Sequence, residues 1–404
     1  MFSYPGSRAT ARLALLFALA LPAAADSPFQ LPIGDEARRD KTVQPALDTL
    51  LDTRTGEALD PAELPKLLAK TRLLLIGESH TSTEFHRVQE IVLRELHKAG
   101  RKVVIGLEMM PTDQQGSLDR WVAGELSERE YLEAGDWYGH WGYHWEYYRP
   151  IFQLARQNSI AMRGLNVPRD LVSQVRAEGF DGLEKEDRAR LPPEIDLPTD
   201  EFRRLFLSYF PSDGGGVHQL EGEMLEGFLL AQTAWDAAMA WAAVEALRAD
   251  PEAMVVVLVG SGHVAYGLGI ARQAAPHFEG EIRTLIPVRA SLDGEPSPEI
   301  SASYADFVWG VAEERWERFP SLGVSTREGE GGMREVLFVI EESPAAATGL
   351  TAGDLLLTVD GQEIAQAQAL SFLMAEKRWG DSVHLRWRRG EKEMESVAFL
   401  RRRP

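Results

Sequence analysis

The chain has 404 residues, of which 44% are hydrophobic and 26% charged, so it is long enough for two or three domains with hydrophobic cores. Its formal net charge of −19 argues against a nucleic-acid-binding surface, because the phosphate backbone rewards clustered Lys and Arg. The sequence contains no cysteine. We therefore expect no disulfides, no thiol nucleophile, no cysteine-ligated metal and no lipoprotein anchor.

Residues 1–25 have the pattern of a secretory signal peptide. Arg8 and Arg12 form a positive region, an apolar stretch follows at 13–21, and Ala23 to Ala25 offer a small-residue cleavage site. The apolar stretch is shorter than the roughly 20 residues that cross a bilayer. An uncleaved helix at the membrane surface is the alternative interpretation. We expect a periplasmic or secreted protein after removal of the signal peptide.

Residues 26–70 are polar and punctuated by proline, and they are interpreted as an N-terminal extension with one helix near 61–70. From 71 to 317 the pattern changes. Short apolar runs there alternate with amphipathic stretches such as 84–99 and 217–247, which is typical of a mainly parallel sheet flanked by helices. The sequence therefore predicts an α/β domain over 71–317. Its apolar runs are Leu73–Ile76, Val103–Leu107, Ile160–Leu165, Met254–Val259 and Ile282–Val288.

Three of these runs end in glycine followed by a polar side chain. Glu78 and His80 follow the first run, Glu108 follows the second, and His263 follows the fourth. Ligands of open parallel sheets bind beyond the carboxyl ends of the strands, and glycine there allows close approach. We expect these four side chains to converge at one edge of the sheet.

Two carboxylates and two imidazoles suit a divalent metal such as zinc, manganese or iron, with Glu78, His80, Glu108 and His263 as ligands. Without a metal, a glutamate can orient a neighbouring histidine that acts as a general base. Taken singly, each residue is better explained as a helix cap or a satisfied polar group. The agreement between three strand ends favours a functional site.

The segment "WYGHWGYHWEYY", residues 137–148, concentrates aromatic and histidine side chains. A haem pocket uses flat apolar walls and an axial His or Tyr, which makes Tyr143, His144 and Tyr147 candidate pocket residues. The alternative is a rigid aromatic cap with a purely structural role. The two interpretations are compatible, and the sequence does not choose an axial ligand.

Polar residues also lie at the end of the run Ile160–Leu165. Arg163, Asn166 and Arg169 suit a carboxylate, a phosphate or a haem propionate, or else they serve as a turn residue and surface ion pairs. Asp236 lies in an apolar helical pattern and needs a partner, for which these arginines are candidates. The other histidines considered are expected on the surface: His86, His97, His218, His277 and His384.

The last unit, residues 318–404, contains short strands joined by Gly and Asp turns, which indicates a small α+β domain. The stretch "SPAAATGLTAGDLLLTVDGQEI" at 343–364 resembles the PDZ domains of bacterial periplasmic proteases. Leu322, Gly323 and Val324 match the carboxylate-binding loop of that family. A protein C-terminus or peptide would add as a strand at the sheet edge beside this loop. The alternative is a PDZ fold that only packs against its neighbour.

Several motifs together, in order over about 70–290, resemble the ChaN-like haem-binding proteins. They are "LLLIGESHTSTEFHRVQ", "VVIGLEMM", "WGYHWEYYRPIFQLA", "GLNVPR", "AQTAWDAAMA" and "VGSGH". This family is grouped with the Tiki metalloproteases, the TraB proteins and the erythromycin esterases. The resemblance implies a shared polar site formed by Glu78, His80, Glu108 and His263. It also implies haem binding and a role in iron acquisition.

Three functions remain open on the sequence. The first is an exported ChaN-like protein that binds haem or handles iron and uses a PDZ domain for partners. The second is a metal-dependent hydrolase built on the same four residues, with a glutamate activating water. The third is a non-catalytic adaptor that acts through its PDZ groove. Whether the protein is an enzyme stays open, and so does a homodimer.

Overall fold

A computed structural model describes residues 27–209, 222–291, 297–314, 317–364 and 367–402. The expected signal peptide and His218 lie outside these ranges. The strands before residue 318 are β1 (Thr42–Val43), β2 (Leu50–Asp52), β3 (Ala58–Leu59), β4 (Thr71–Glu78), β5 (Val103–Pro111), β6 (Ala161–Asn166), β7 (Met254–Gly260), β8 (Glu281–Ala290), β9 (Ile300–Ser301) and β10 (Phe307–Ala312).

The same region holds a series of helices, among which none in the described ranges is long and apolar enough to span a bilayer. They are α1 (Leu64–Leu67), α2 (Thr83–Lys98), α3 (Gln115–Val122), α4 (Glu128–Ala134), α5 (Trp137–His140), α6 (Arg149–Gln157), α7 (Arg169–Glu178), α8 (Lys185–Arg188), α9 (Asp200–Ser208), α10 (Gly222–Ala249) and α11 (Ile270–Ala274).

The main sheet has the strand order β3-β2-β10-β8-β4-β7-β5-β6. Its six strands from β10 to β6 are parallel to their neighbours, whereas β2 and β3 pair antiparallel at one end. Strand β4 is apolar on both faces because both are covered: Leu74 and Ile76 belong to one core, Leu73 and Leu75 to the other. The predicted α/β fold with a mainly parallel sheet is confirmed.

The five predicted apolar runs all form strands, but the sheet is larger than they indicate. Strand β10 supplies a sixth parallel strand, and β2 and β3 come from the segment interpreted as an N-terminal extension. Strands of two or three residues are too short to show a period of two, so they join the sheet without a sequence signal.

The C-terminal unit is a separate antiparallel sheet with one main helix, α12 (Ala367–Ala375). Its strands are β11 (Val324–Glu328), β12 (Arg334–Val339), β13 (Leu355–Val359), β14 (Gln362–Glu363), β15 (Ser382–Arg389) and β16 (Lys392–Phe399). The order is β11-β12-β13-β15-β16, with β14 attached to β13, so β11 lies at a sheet edge. Val336 and Trp387 are buried in its own core. The predicted small α+β domain is confirmed.

Candidate functional site

The four residues that follow the strand ends lie at one edge of the main sheet. Glu78 is the last residue of β4, and its backbone pairs with Gly260, the last residue of β7. Glu108 lies in β5 on the other side of β7. His263 ends the short 3-10 helix that follows β7. The parallel register therefore brings these ends together, as ligand sites of open α/β sheets require.

Glu78 is a buried carboxylate with partners on both oxygens. His80 Nδ1 lies 2.8 Å from Oε1, and the Tyr148 hydroxyl donates to the same oxygen at 2.7 Å. Gln89 Nε2 donates to Oε2 at 3.0 Å, and His86 Nδ1 lies 3.4 Å from it. Burial alone would raise the pKa of Glu78, but the histidines and the tyrosine outweigh it and lower that pKa to about 2. Glu78 is therefore ionised and orients His80 through Nδ1.

A second histidine–carboxylate pair faces the first. His263 Nδ1 lies 2.6 Å from Asp236 Oδ1, and its Nε2 lies 3.4 Å from Glu108 Oε1. Burial would lower the pKa of His263, but Asp236 and Glu108 raise it to about 10. The backbone N–H of Gly260 donates to Glu108 Oε2 at 2.7 Å. His263 is therefore an imidazolium held between two carboxylates at neutral pH.

Gly260 lies beside residues of both pairs. A Cβ atom at this position would lie 3.1 Å from His80 Cε1 and 3.7 Å from Glu108 Oε2. Glycine thus lets the His80 ring approach the end of β7. Burial would lower the pKa of His80, but its hydrogen bond to Glu78 and the charge of Glu108 raise that pKa. The two pairs form one connected polar cluster.

The cluster does not have the geometry of the expected divalent-metal site. Within the described ranges, no group of three or more His, Cys, Asp or Glu side chains is arranged to hold a metal ion. The side chains instead pair with each other, His80 with Glu78 and His263 with Asp236. A zinc, manganese or iron ion bound by these four residues has no support in this arrangement.

The aromatic segment places one wall against His80. The ring centroid of Trp141 lies 4.8 Å from that of His80, edge to face, and that of Tyr143 lies 4.7 Å away. Burial and the charges of Glu108 and Glu78 raise the pKa of Tyr143, so its phenol is neutral. Most neighbouring aromatic side chains of the segment, such as Trp137 and Trp145, are buried in the core. The segment is thus both a packed cap and one side of the site.

His144 is not brought to this wall, and the Tyr147 ring lies 6.0 Å from that of His86 behind Glu78 rather than beside His80. The His144 ring stacks on Phe319 with centroids 3.8 Å apart, its Nε2 donates to the carbonyl of Ala375 at 2.9 Å, and its Nδ1 accepts from the N–H of Glu146. Both ring nitrogens are therefore used within the protein. Tyr147 also packs edge-on against Phe319. The pocket role predicted for His144 is corrected to a contact with the C-terminal domain.

The three polar residues at the end of the third predicted run have different surroundings. Asn166 Nδ2 donates to the backbone carbonyl of Glu108 at 3.0 Å, which ties the end of β6 to the site. Arg169 is exposed and donates to the carbonyl of His140 at 2.8 Å. Arg163 lies within β6 and is exposed. Asn166 thus contacts the backbone of one of the four clustered residues at the sheet edge.

Two sequence expectations about single residues are wrong. His86, expected on the surface, is 4% exposed and joins Gln89 around Glu78. Asp236, expected to pair with an arginine near 163–169, is fully buried against His263. The available signal was the polar pair at positions 86 and 89, three residues apart on the apolar face of α2. Gln232, one turn before Asp236, lies 2.9 Å from His263 Nδ1 and was also missed.

The loop predicted to bind a carboxylate precedes the edge strand β11. Leu322 is buried and its carbonyl accepts from the N–H of Ala345, whereas Val324 is half-buried at the start of β11. Gly323 has a φ of +80°, and a Cβ there would lie 2.2 Å from that of Ser343. Its N–H donates to Ser321 Oγ at 3.2 Å. The loop conformation therefore requires glycine.

Comparisons with known proteins agree with this architecture. The family described as haem-binding uptake, Tiki superfamily, ChaN, matches residues 64–273, just over half of the chain, and the PDZ domain family matches residues 320–397. No match was found among curated proteins. The chain belongs to the ChaN haem-binding uptake family and carries a C-terminal PDZ domain.

Solved structures show likeness to both parts. ChaN of Campylobacter jejuni, solved for cofacial haem binding, has 18% identity over 64% of this chain and 95% of that chain, with a TM-score of 0.51. The HtrA-type protease AlgW with a decapeptide has 26% identity over 22% of this chain and 30% of that chain, with a TM-score of 0.20. The PDZ domain of an SdrC-like protein from Listeria monocytogenes has 30% identity over 16% and 65%, with a TM-score of 0.15.

Proposed function

We propose that this protein binds haem beside the cluster of Glu78, His80, Glu108 and His263, and handles haem or iron after export. The observation that carries the proposal is the His80 ring, held by Glu78 and placed 4.7 Å from the Tyr143 ring. An imidazole and a phenol beside an indole wall are the groups that ligate and enclose haem in proteins. The family membership and the cofacial haem of the Campylobacter jejuni ChaN support the same ligand.

The residues present fit such a ligand chemically. Glu78 fixes the Nδ1–H tautomer of His80, so the lone pair that can coordinate iron is on Nε2. The Trp141 ring, edge to face with His80, supplies a flat aromatic surface at this wall. A bound haem would supply iron at this wall. His80 and Tyr143 are the side chains placed to hold it.

A haemin titration of the purified protein tests the proposal. We expect a saturable shift of the Soret band for the unsubstituted chain. His80→Ala and Tyr143→Phe should each weaken binding at least tenfold, because each removes a group at the wall beside the site. Tyr131→Phe is the matched control, since the Tyr131 hydroxyl is buried away from this wall and has no hydrogen-bond partner in the described part of the chain. No Soret shift, or equal affinity in all variants, would overturn the haem proposal.

We propose that the PDZ domain binds a peptide or protein C-terminus between β11 and α12. Strand β11 pairs only with β12 in the described sheet, so its other edge is available for an added strand. Gly323, just before this strand, has the positive φ of the αL conformation that occurs in anion-binding nests.

A panel of random decapeptides, each made with a free and an amidated C-terminus, tests this groove by fluorescence anisotropy. Free C-termini should bind and amidated ones should not. Gly323→Ala should abolish binding, because its Cβ would collide with Ser343. Equal binding of both peptide forms would refute carboxylate recognition.

The export step is supported by the pattern of residues 1–25 and is tested by N-terminal sequencing of protein recovered from a periplasmic fraction.

A further inference from the structure

Helix α12 of the PDZ domain is packed between two bodies. Leu373 belongs to the PDZ core, whereas Phe372 packs against the core of the α/β domain. The Phe372 ring meets Tyr138 of α5 edge to face, with centroids 5.0 Å apart, and the Arg129 guanidinium lies 4.1 Å from its centroid. The helix that forms one wall of the proposed peptide groove thus also packs against the aromatic cap, residues 137–148.

The C-terminal end of α12 reaches the candidate site through consecutive contacts. His144 donates to the carbonyl of Ala375, the last residue of α12. The next residue back, Tyr143, lies against the His80 ring. Two neighbouring residues of the cap, His144 and Tyr143, therefore connect the groove wall to the Glu78–His80 pair.

The segment that connects the two domains is tied to the same place. The Glu314 carboxylate accepts hydrogen bonds from the Ser82 and Thr83 side chains, just after His80. The Glu317 carboxyl is hydrogen-bonded to Thr81. Trp379, four residues after α12, donates its indole N–H to the Glu317 carbonyl at 2.7 Å. The loop that carries His80 is thus bonded to the linker, and the linker is bonded to the chain that follows α12.

The junction between the domains also has space into which α12 can shift. A cavity of about 380 Å³ lies between α4 and the PDZ domain, lined by Arg129, Glu133, Gln368 and Phe372 among others. A peptide that adds as a strand lies between β11 and α12, so it contacts α12 directly. Packed side chains take up discrete arrangements rather than deform continuously. A displaced α12 would therefore change the contacts of His144 and Tyr138.

We infer that ligand occupancy beside His80 and peptide occupancy of the PDZ groove are energetically coupled through α12 and both of its contacts with the cap. These contacts are Phe372 on Tyr138 and Ala375 with His144, the residue next to Tyr143. The inference rests on the proposed haem and peptide functions. A ligand against Tyr143 restricts the motion of the cap, and the cap restricts the motion of α12. A groove whose wall is already fixed binds its peptide at a lower entropic cost. The coupling is positive and, by linkage, equal in both directions.

Hydrogen–deuterium exchange of the full chain, with and without saturating haemin, tests this coupling. We expect haemin to slow exchange of the α12 amides at least fivefold, the lower end of usual coupling factors. Phe372→Leu should abolish this protection while leaving haemin bound, because the residue lies away from His80. Phe399→Leu on the exposed face of β16 is the matched control and should retain the protection, since 54% of Phe399 is exposed.

The outcomes separate the two proposals. Haemin binding by the Soret shift, with α12 exchange unchanged, overturns the coupling alone. Absence of haemin binding overturns the haem function and the coupling together. Protection that persists in Phe372→Leu also overturns the inference, because the signal would then not pass through this contact. The Soret titration of Phe372→Leu verifies that the variant is folded at the site.

Discussion

At the scale of single residues, the site is a set of buried charges that neutralise one another. Glu78 is 3% exposed and would be unstable as an isolated anion. Each of its oxygens has a short hydrogen bond, and two histidines lie within ion-pair distance. Buried ionic groups of this kind destabilise the protein strongly when one partner is removed. The Tyr148 hydroxyl is the partner that can be removed with the least change of shape.

Tyr148→Phe should lower the free energy of unfolding by about 1.5–3 kcal/mol, because it removes a hydrogen bond to a charged group. It should also raise the pKa of Glu78, since the Tyr148 hydrogen bond contributes to lowering that pKa. Urea unfolding at neutral pH measures the first effect. Tyr131→Phe deletes a buried hydroxyl without a described partner and should be neutral or slightly stabilising. Equal losses in the two variants would contradict the role given to Tyr148.

At the scale of elements, close approach of β6 to the end of β5 positions Asn166. A Cβ at Gly164 would lie 2.5 Å from the Pro111 carbonyl oxygen and 2.9 Å from that of Met110. These are backbone atoms, which cannot move aside as a flexible side chain does. The register shift between Leu107 and Pro111 occurs at the same place, so the glycine and the irregular strand belong together.

Gly164→Ala should destabilise the protein by about 1–3 kcal/mol, the usual cost of overpacking. Gly116→Ala in helix α3 is the control, because nothing lies within 4 Å of its Cβ position. That substitution should stabilise by about 0.5–1 kcal/mol, as expected for Gly to Ala in a helix. Thermal unfolding of both variants decides the matter. A Gly164→Ala protein as stable as Gly116→Ala would refute the close approach.

The contact between α12 and the cap should depend on pH through His144. Burial, together with Arg378 and Arg318, lowers the pKa of His144 to about 4 from its ordinary 6.5. The unfolded chain therefore binds a proton at higher pH than the folded one, and stability falls as pH decreases from 6.5 to 4. The expected loss is about 1–2 kcal/mol, less than the full shift implies, because part of the ring meets solvent.

His144→Gln keeps a donor for the Ala375 carbonyl but does not titrate. Urea unfolding of both proteins between pH 7 and pH 4 should show a smaller decrease for the variant. Other titrating groups contribute equally to both curves, so only the difference between them reports His144. Parallel curves would rule out His144 as a source of the pH dependence.

At the scale of the whole molecule, the two domains share a junction rather than a free linker. Phe319 is 7% exposed, stacks on His144 and meets Tyr147 edge-on. It is buried in the α/β core although it precedes the PDZ strands, so the start of the C-terminal unit is anchored to the α/β domain. Domains with so direct a contact unfold together when the interface is stable enough.

Phe319→Ala should therefore separate the unfolding of the two domains. The expected cost is about 3–5 kcal/mol at the junction, the usual range for a buried Phe replaced by Ala. Differential scanning calorimetry should show one transition for the unsubstituted chain and two for the variant. Phe399→Ala, on an exposed strand of the PDZ domain, should keep one transition. Two transitions in the unsubstituted chain would show that the junction does not couple the domains.

Some features follow from the sequence alone because they depend on local pattern. Apolar runs of five residues or so must be buried, and alternation with helices makes them parallel. Parallel strands then put their carboxyl ends on one edge whatever their order, which is why Glu78, His80, Glu108 and His263 meet there. The PDZ signature likewise identifies its domain through turn residues close together in the chain.

Other features were decided only by tertiary structure. His86 and Asp236 lie on helices, so whether they face the site depends on how those helices pack, not on their own spacing. His144 is adjacent to Tyr143 in sequence but turns away from the site, because its partner is a carbonyl 231 residues further along the chain. Local pattern determines which residues end a strand, whereas only the packing of distant elements determines what a side chain beyond that end will contact.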